Sequence, residues 1–248
     1  MAKWVSSVTW EDVPHIPDGT KKDMYNSYSA EEREARSKGI PSVGSGRIYP
    51  ILESDFVISP FKIPTYWPKA FALDVGFNRT AAIWGAIDPD SGIIYFYDEY
   101  YSGQALPEVH AASIKRRGDW IPGAIDPSSR NGNVRDGRKL IDEYRSLGLD
   151  VQMADNAIEA GILKVLNLLA NGRIKLFVNC QNTLQELRVY RYDDKGRPAR
   201  NQEDHLMDAI RYWVMTGRRL AITKPEEDED HKIRTSIRHF SRDNITGY

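Results

Sequence analysis

FALDVGFNRTAAIWGAID, residues 71–88, and GIIYFYDEYY, residues 92–101, are the stretch on which the fold turns. FALDVGF, TAAIWGAID and GIIYFYDEYY are three apolar runs separated by the turn signals FNR and PDSG. Runs and breaks of these lengths predict a meander of antiparallel strands. Downstream the character alternates. PEVHAASIKRRG (107–118) reads as a helix, IPGAID (121–126) as a strand and VRDGRKLIDEYRSLG (134–148) as a helix. VQMAD (151–155) is strand-like, AIEAGILKVLNLLANG (157–172) a long apolar helix, RIKLFV (173–178) a strand and QNTLQELRVYRY (181–192) a helix. A meander followed by βα units predicts a mixed α/β sheet, five-stranded or larger, flanked by helices.

On either side the pattern weakens. Residues 1–65 are rich in turn formers and charge and read as an arm or linker segment. Within it SAEEREARSKG (29–39) predicts a short helix, with Ser29 as N-cap, early glutamates and Gly39 after its end. PSVGSGRIYPI (41–51) predicts a glycine-punctuated loop leading into a short strand. The compact domain is expected over 66–217. Beyond it, residues 218–248 contain PEEDEDHKIR and few large apolar side chains, as a mobile charged tail would. YDDKGRPAR (192–200) carries Lys-Gly and Arg-Pro turn signals and predicts an exposed hairpin or loop.

Three aspartates fall at telling places in this pattern. Asp74 lies inside FALDVGF, Asp126 ends IPGAID, and Asp208 lies in DHLMDAIRYWVM (204–215), which reads as an amphipathic helix. A carboxylate in a buried strand is costly unless it is paired or binds a metal. In a sheet of this type the first meander strand is central and the fourth strand lies beside it. Asp74 and Asp126 can therefore face each other, with a helix bringing Asp208 to the same point. Hard divalent ions such as Mg²⁺ and Mn²⁺ favour oxygen ligands, and a pair of them can hydrolyse a phosphodiester without a nucleophilic side chain. Each acid alone has a plainer reading. Asp126-Pro127 is a common turn opener, Asp74 could mark a turn, and Asp208 could face solvent. The combination favours the metal. Asp204 reads as the N-cap of the Asp208 helix. His205, three residues before Asp208, shares its helix face and is a candidate ligand or a partner of one.

The totals narrow the classes. The 248 residues are 41% hydrophobic and 28% charged with a net charge of −1, so no overall basic excess announces nucleic acid. Contact with DNA would fall to local sets: Arg130, Arg135, Arg138 and Lys139 after Asp126, and Arg191, Lys195, Arg197 and Arg200 before Asp208. Cys180 is the one cysteine, which excludes an internal disulfide and a cysteine-built zinc site and fits a reducing compartment. No apolar run approaches the ~20 residues that span a bilayer.

FALDVGFNRTAA around Asp74, GAIDPSSR around Asp126 and EDHLMDAIRYWV around Asp208 resemble the C-terminal nuclease domain of the large terminase subunit of tailed double-stranded DNA bacteriophages. TWEDVPHIP (9–17) and EREARSKGIPSVGSGRIYPI (32–51) are similar to the segment joining motor and nuclease in that family. The resemblance implies a ribonuclease H-like fold and metal-dependent cleavage of concatemeric double-stranded DNA, with little sequence specificity, during genome packaging in the host cytoplasm. It implies Asp74, Asp126 and Asp208 as acids holding two Mg²⁺ or Mn²⁺ ions, with His205 beside them and Asp204 assisting. It implies as partners DNA, the terminase ATPase domain, the small terminase subunit and the portal protein, and no membrane. The phosphate-binding loop G-x-x-x-x-G-K-[ST] of the family's motor does not occur, so no ATPase is expected in these residues.

Two other classes compete. Asp74-Val75-Gly76 with Thr80 nearly fits the D-x-G-x-x-[ST] hairpin of actin-like and sugar-kinase phosphotransferases. Those proteins repeat the domain and use a second phosphate hairpin, and neither is legible. A catalytically inactive packaging adaptor of the same fold is the third reading, and retention of all three acids argues against it.

Overall fold

The computed structural model describes residues 16–27, 46–130, 139–193, 195–200 and 202–225. The helix expected at 29–39, the basic residues Arg135 and Arg138, and the acidic tail from 226 onward lie outside these residues. Among the described residues the strands form one seven-stranded sheet in the order β1-β7-β4-β3-β2-β5-β6. These are β1 (Val57–Ile58), β2 (Lys69–Asp74), β3 (Thr80–Ile87), β4 (Ile94–Ser102), β5 (Gly123–Ile125), β6 (Val151–Met153) and β7 (Ile174–Phe177). The meander is as expected: β3 is antiparallel to both β2 and β4. Past it every pairing is parallel, with β5 beside β2, β6 beside β5, and β7 beside β4.

Side-chain alternation along these strands sorts the two faces of the sheet. Phe71 and Leu73 of β2, Trp84 of β3 and Ile125 of β5 pack with Ala111, Ile114, Ile141 and Tyr144 from the helices Pro107–Lys115 and Leu140–Ser146. On the other face Ala70, Ala72, Ala81, Ile83 and Ala124 pack with Ile162, Val165, Leu184, Leu206, Ala209, Ile210 and Trp213. Those residues come from the helices Ile158–Ala170, Gln181–Val189 and His205–Tyr212, the last continued by a π-helical turn over Trp213–Gly217. The alanines let the last helix lie close on the sheet. Gly85 belongs to the same fit, because a Cβ there would stand 2.5 Å from the Trp213 ring. The indole N–H of Trp213 donates to the Ala70 carbonyl at 2.9 Å and fixes the helix along β2.

Three local expectations change. The helix expected from Val134 begins, among the described residues, at Leu140, with Lys139 already extended at φ −85° and ψ 134°. The strand expected after the 41–46 loop is only an isolated bridge, Arg47 to Arg191, and the true strand of that region is Val57–Ile58 paired with β7. Residues 46–65 also lie on the domain, because Ile48, Tyr49 and Phe56 are buried in the core between sheet and helices. Scattered apolar residues in a turn-rich segment carry no period to reveal that docking.

Candidate metal centre

Alternation places the acids. Asp74 is two residues past Ala72 and four past Ala70, so it points to the face covered by the His205–Tyr212 helix. Asp126 is two past Ala124, one residue beyond the end of β5, and points the same way. Its N–H donates to the Leu73 carbonyl at 2.8 Å, which sets the two acids side by side at the C-terminal ends of adjacent strands. Asp208 comes down from the helix above them, one turn in from its start.

Each carboxylate is held by protein groups. His205 Nδ1 is 2.9 Å from Asp74 Oδ2. Asp126 accepts from the Tyr212 hydroxyl at 3.1 Å, from the Ser128 backbone N–H at 3.0 Å and from the Ser128 hydroxyl. Asp208 Oδ1 pairs with the guanidinium of Arg211 at 2.9 Å. Arg211 itself is 1% exposed, so its charge is enclosed and committed to Asp208 and to the Asn156 amide oxygen at 3.4 Å. Gly161 makes room for it: a Cβ there would lie 2.6 Å from the arginine stem.

The charges act on one another. Burial raises the Asp74 carboxyl to about 6, and Asp208 and Asp126 push the same way, while the hydrogen bond from His205 opposes. Burial also raises Asp208, with Arg211 working against it and Asp126 with it. Asp204 is raised to about 6, by burial first and Asp208 second. The His205 imidazole is raised chiefly by its bond to Asp74, against its own burial. Like charges brought together out of water favour protonation, and a divalent cation would relieve the same repulsion.

The donor set, carboxylate oxygens with an imidazole at the edge, suits a hard divalent ion. Among the described residues no group of three His, Cys, Asp or Glu side chains is arranged to enclose one. The two observations agree once the partners are counted: Asp208 is turned to Arg211, and Asp126 to Tyr212 and Ser128. A few carboxylates completed by water and substrate phosphate are what Mg²⁺ commonly uses, so a closed protein cage is not required.

The expected N-cap at the helix start holds in position but not in its bonding. Asp204 occupies the N-cap position, but its side chain makes no capping bond. Glu186, buried on the neighbouring Gln181–Val189 helix, accepts from the N–H groups of Leu206 at 2.6 Å and Met207 at 3.3 Å. Those donors are the ones Asp204 would have used. Glu186 also takes the Tyr101 hydroxyl at 2.7 Å, and burial raises its own carboxyl to about 7. Sequence reasoning missed Glu186 and Tyr101. Their signal was a glutamate between Leu184 and Leu187 on the buried side of an amphipathic helix.

The basic residues are dispersed. Arg130 is exposed at the end of the 3-10 turn Pro127–Arg130, directly after Asp126, and Lys139 is exposed before the Leu140 helix. Of the hairpin or loop expected at 192–200, the structure has a hairpin: Tyr192 bridges Pro198, and the Asp193 N–H donates to the Arg197 carbonyl at 2.6 Å. Asp193 Oδ1 accepts from the N–H groups of Lys195 and Arg197, and Gly196 takes φ +72° at the tip. The side chains of Arg191, Lys195, Arg197 and Arg200 are exposed around it.

A mixed sheet begun by a meander, with acids at the ends of two adjacent strands and a third on the helix laid over them, defines a ribonuclease H-like domain. The chain belongs to the family described as Terminase RNaseH-like domain, which matches residues 72–216. It is 30% identical over 253 residues to the large terminase subunit of Salmonella phage P22, covering 96% of this chain and 49% of that protein. The chain thus spans about half the length of that curated relative. The solved nuclease domain of the P22 large terminase superposes with a TM-score of 0.66 at 27% identity, covering 73% of this chain and 96% of that one. The large terminase nuclease domain of bacteriophage SPP1, solved with bound Mn, reaches 0.50 at 16% identity over 66% of this chain and 95% of its own, a likeness of fold alone. These likenesses bear out the resemblance to a large terminase nuclease domain.

Proposed function

We propose that this chain is a divalent-metal-dependent endonuclease that cuts double-stranded DNA with little sequence preference during phage genome packaging. The observation that carries the reading is the convergence of Asp74 and Asp126, both buried, with the half-buried Asp208, whose shared negative charge helps hold the Asp74 and Asp208 carboxyls up. The Mn bound to the SPP1 nuclease domain supports a metal of this class. Two Mg²⁺ or Mn²⁺ ions, when bound, would supply an activated water and stabilise the leaving oxygen.

The chain's own residues prepare that chemistry. Asp74, Asp126 and Asp208 would hold the ions, and His205 orients the Asp74 carboxylate through Nδ1. Tyr212 and Ser128 hold Asp126 in place, and Arg211 does the same for Asp208. The alanine-lined face beneath keeps bulk water from the inner side of the carboxylates. In this reading residues 66–217 form the nuclease. The segment up to residue 65 is an arm whose end lies on it, and the chain beyond Gly217 is a tail. The partners would be the ATPase motor, the small subunit, the portal and DNA, in the host cytoplasm. No helix among the described residues is long and apolar enough to cross a membrane.

The test is cleavage of supercoiled plasmid with Mg²⁺ or Mn²⁺, with and without chelator. Wild type should nick and linearise only with metal, and Asp74→Asn, Asp126→Asn and Asp208→Asn should each abolish cutting while keeping the fold. A mutant of the three that cuts at the wild-type rate would remove that residue from the metal site.

A further inference from the structure

The turn between β2 and β3, the five residues directly after Asp74, is built to present two side chains to a ligand. Phe77 at its tip is 82% exposed, the most solvent-exposed large apolar side chain among the described residues. Arg79 is half-buried, its guanidinium 4.4 Å above the centre of the Tyr101 ring. Its Nε is buried without a hydrogen-bond partner, and among the described residues it forms no salt bridge. Arg117, the comparable stacked arginine on the other side of the sheet, is paired with Asp98 at 2.7 Å.

The turn is held rigidly. The Thr80 hydroxyl donates to the Gly76 carbonyl at 3.1 Å, and the Gln104 N–H donates to the Phe77 carbonyl at 3.0 Å. Gly103 lies flat against the Asn78 carbonyl, which any side chain there would overlap, and Gln104 adopts φ +54° to complete the strap. An exposed phenylalanine on a mobile loop would mean little. Here a turn held by its own backbone and side-chain bonds leaves it 82% exposed.

Arg79 is also joined to the acids. The Tyr101 ring beneath it lies 6.4 Å from the His205 ring, and His205 bonds Asp74. A phosphate approaching three carboxylates meets repulsion, and a pre-oriented guanidinium with no ion pair among the described residues, linked to Asp74 through the Tyr101 and His205 rings, is a group that can offset it.

We propose that the Phe77–Arg79 turn is a duplex-DNA contact, in which Arg79 takes a backbone phosphate beside the acids and Phe77 packs against the adjoining sugar in the minor groove. The inference rests on the nuclease reading above. Arg79 is a positioning residue, stacked and aimed by Tyr101.

The test is binding of a fluorescently labelled mixed-sequence duplex by anisotropy in EDTA over a range of salt, with plasmid cleavage in Mn²⁺ alongside. Removing one cation from a DNA phosphate lowers the slope of log affinity against log salt by about 0.9. Arg79→Gln should therefore weaken binding several-fold and flatten the slope by that amount, while Arg79→Lys keeps the slope. Phe77→Ala should weaken binding with the slope unchanged. Cleavage by Arg79→Gln should rise in KM and recover at saturating DNA, and the melting shift on adding Mn²⁺ should match wild type. Wild-type affinity and slope in Arg79→Gln would overturn the proposal, as would abolished cleavage at saturating DNA with binding intact. Should Arg79→Gln fail to fold, wild-type affinity in Phe77→Ala overturns it instead. A wild type that binds but never cuts sinks the nuclease reading, whereas a cutting wild type with an unaltered Arg79→Gln sinks only this inference.

Discussion

Asp74 carries the tension of the site in one side chain. It is 9% exposed, its carboxyl is raised to about 6, and the cause is burial among neighbours of the same sign. The folded state therefore holds the Asp74 proton to higher pH than the unfolded chain does. The stability this adds is fully present below about pH 4 and is lost as pH rises through 6. Asparagine stays neutral throughout. We expect Asp74→Asn to be more stable than wild type in chelator at pH 7–8, by up to roughly 3 kcal/mol, a net figure in which the His205 bond is already counted. The gain should vanish toward pH 4, as thermal melts across the pH range will show. A mutant less stable than wild type at pH 8 would mean that the His205 bond outweighs the repulsion.

At the scale of elements, the Asp208 helix depends on a residue from another helix. Its first N–H groups end on Glu186, not on its own N-cap. Removing that carboxylate leaves two buried N–H groups without their acceptor and the Tyr101 hydroxyl with Glu203 alone, at 3.2 Å, at a cost of about 2–4 kcal/mol. Glu186→Ala should therefore lose that much in urea unfolding, and its cleavage should fall more than its fold content, because the helix start carries His205 and Asp208. Glu186→Gln keeps an acceptor oxygen and should recover most of both. Cleavage untouched in a folded Glu186→Ala protein would show that the helix start is set by its packing on the sheet. Strand and helix identities were legible here because each buries a face with its own period. The cap was not, since an N-cap motif at Asp204 and a glutamate at Glu186 look independent until the two helices are packed.

At the scale of the molecule, a net charge of −1 has to be reconciled with a polyanionic substrate. The exposed cations around the 192–200 hairpin are the expected solution, alongside the turn at Arg79. Neutralising Arg197 and Arg200 together should weaken duplex binding several-fold and flatten its salt dependence by up to about 1.8, at 0.9 for each phosphate no longer neutralised. An unchanged slope would remove the hairpin from the DNA surface. Neither arginine belongs to the acid cluster, so metal-induced stabilisation should be the same in the double mutant as in wild type.

The sequence by itself determined the sheet and the three acids. Apolar runs broken by turn signals in 71–101 dictate a meander, and an aspartate among core residues is conspicuous because burying its charge is costly. Periodicity is a local property, so the chain displays it before it folds. What only the tertiary structure decided are the partners of those acids: His205 on Asp74, Tyr212 and Ser128 on Asp126, and the enclosed Arg211 on Asp208. The exposed turn of Phe77 with the unpaired Arg79 belongs there too. Each depends on which side chains from distant positions meet within hydrogen-bonding distance. That is settled by how closely the alanine face lets the helix approach, and no local pattern encodes such a distance.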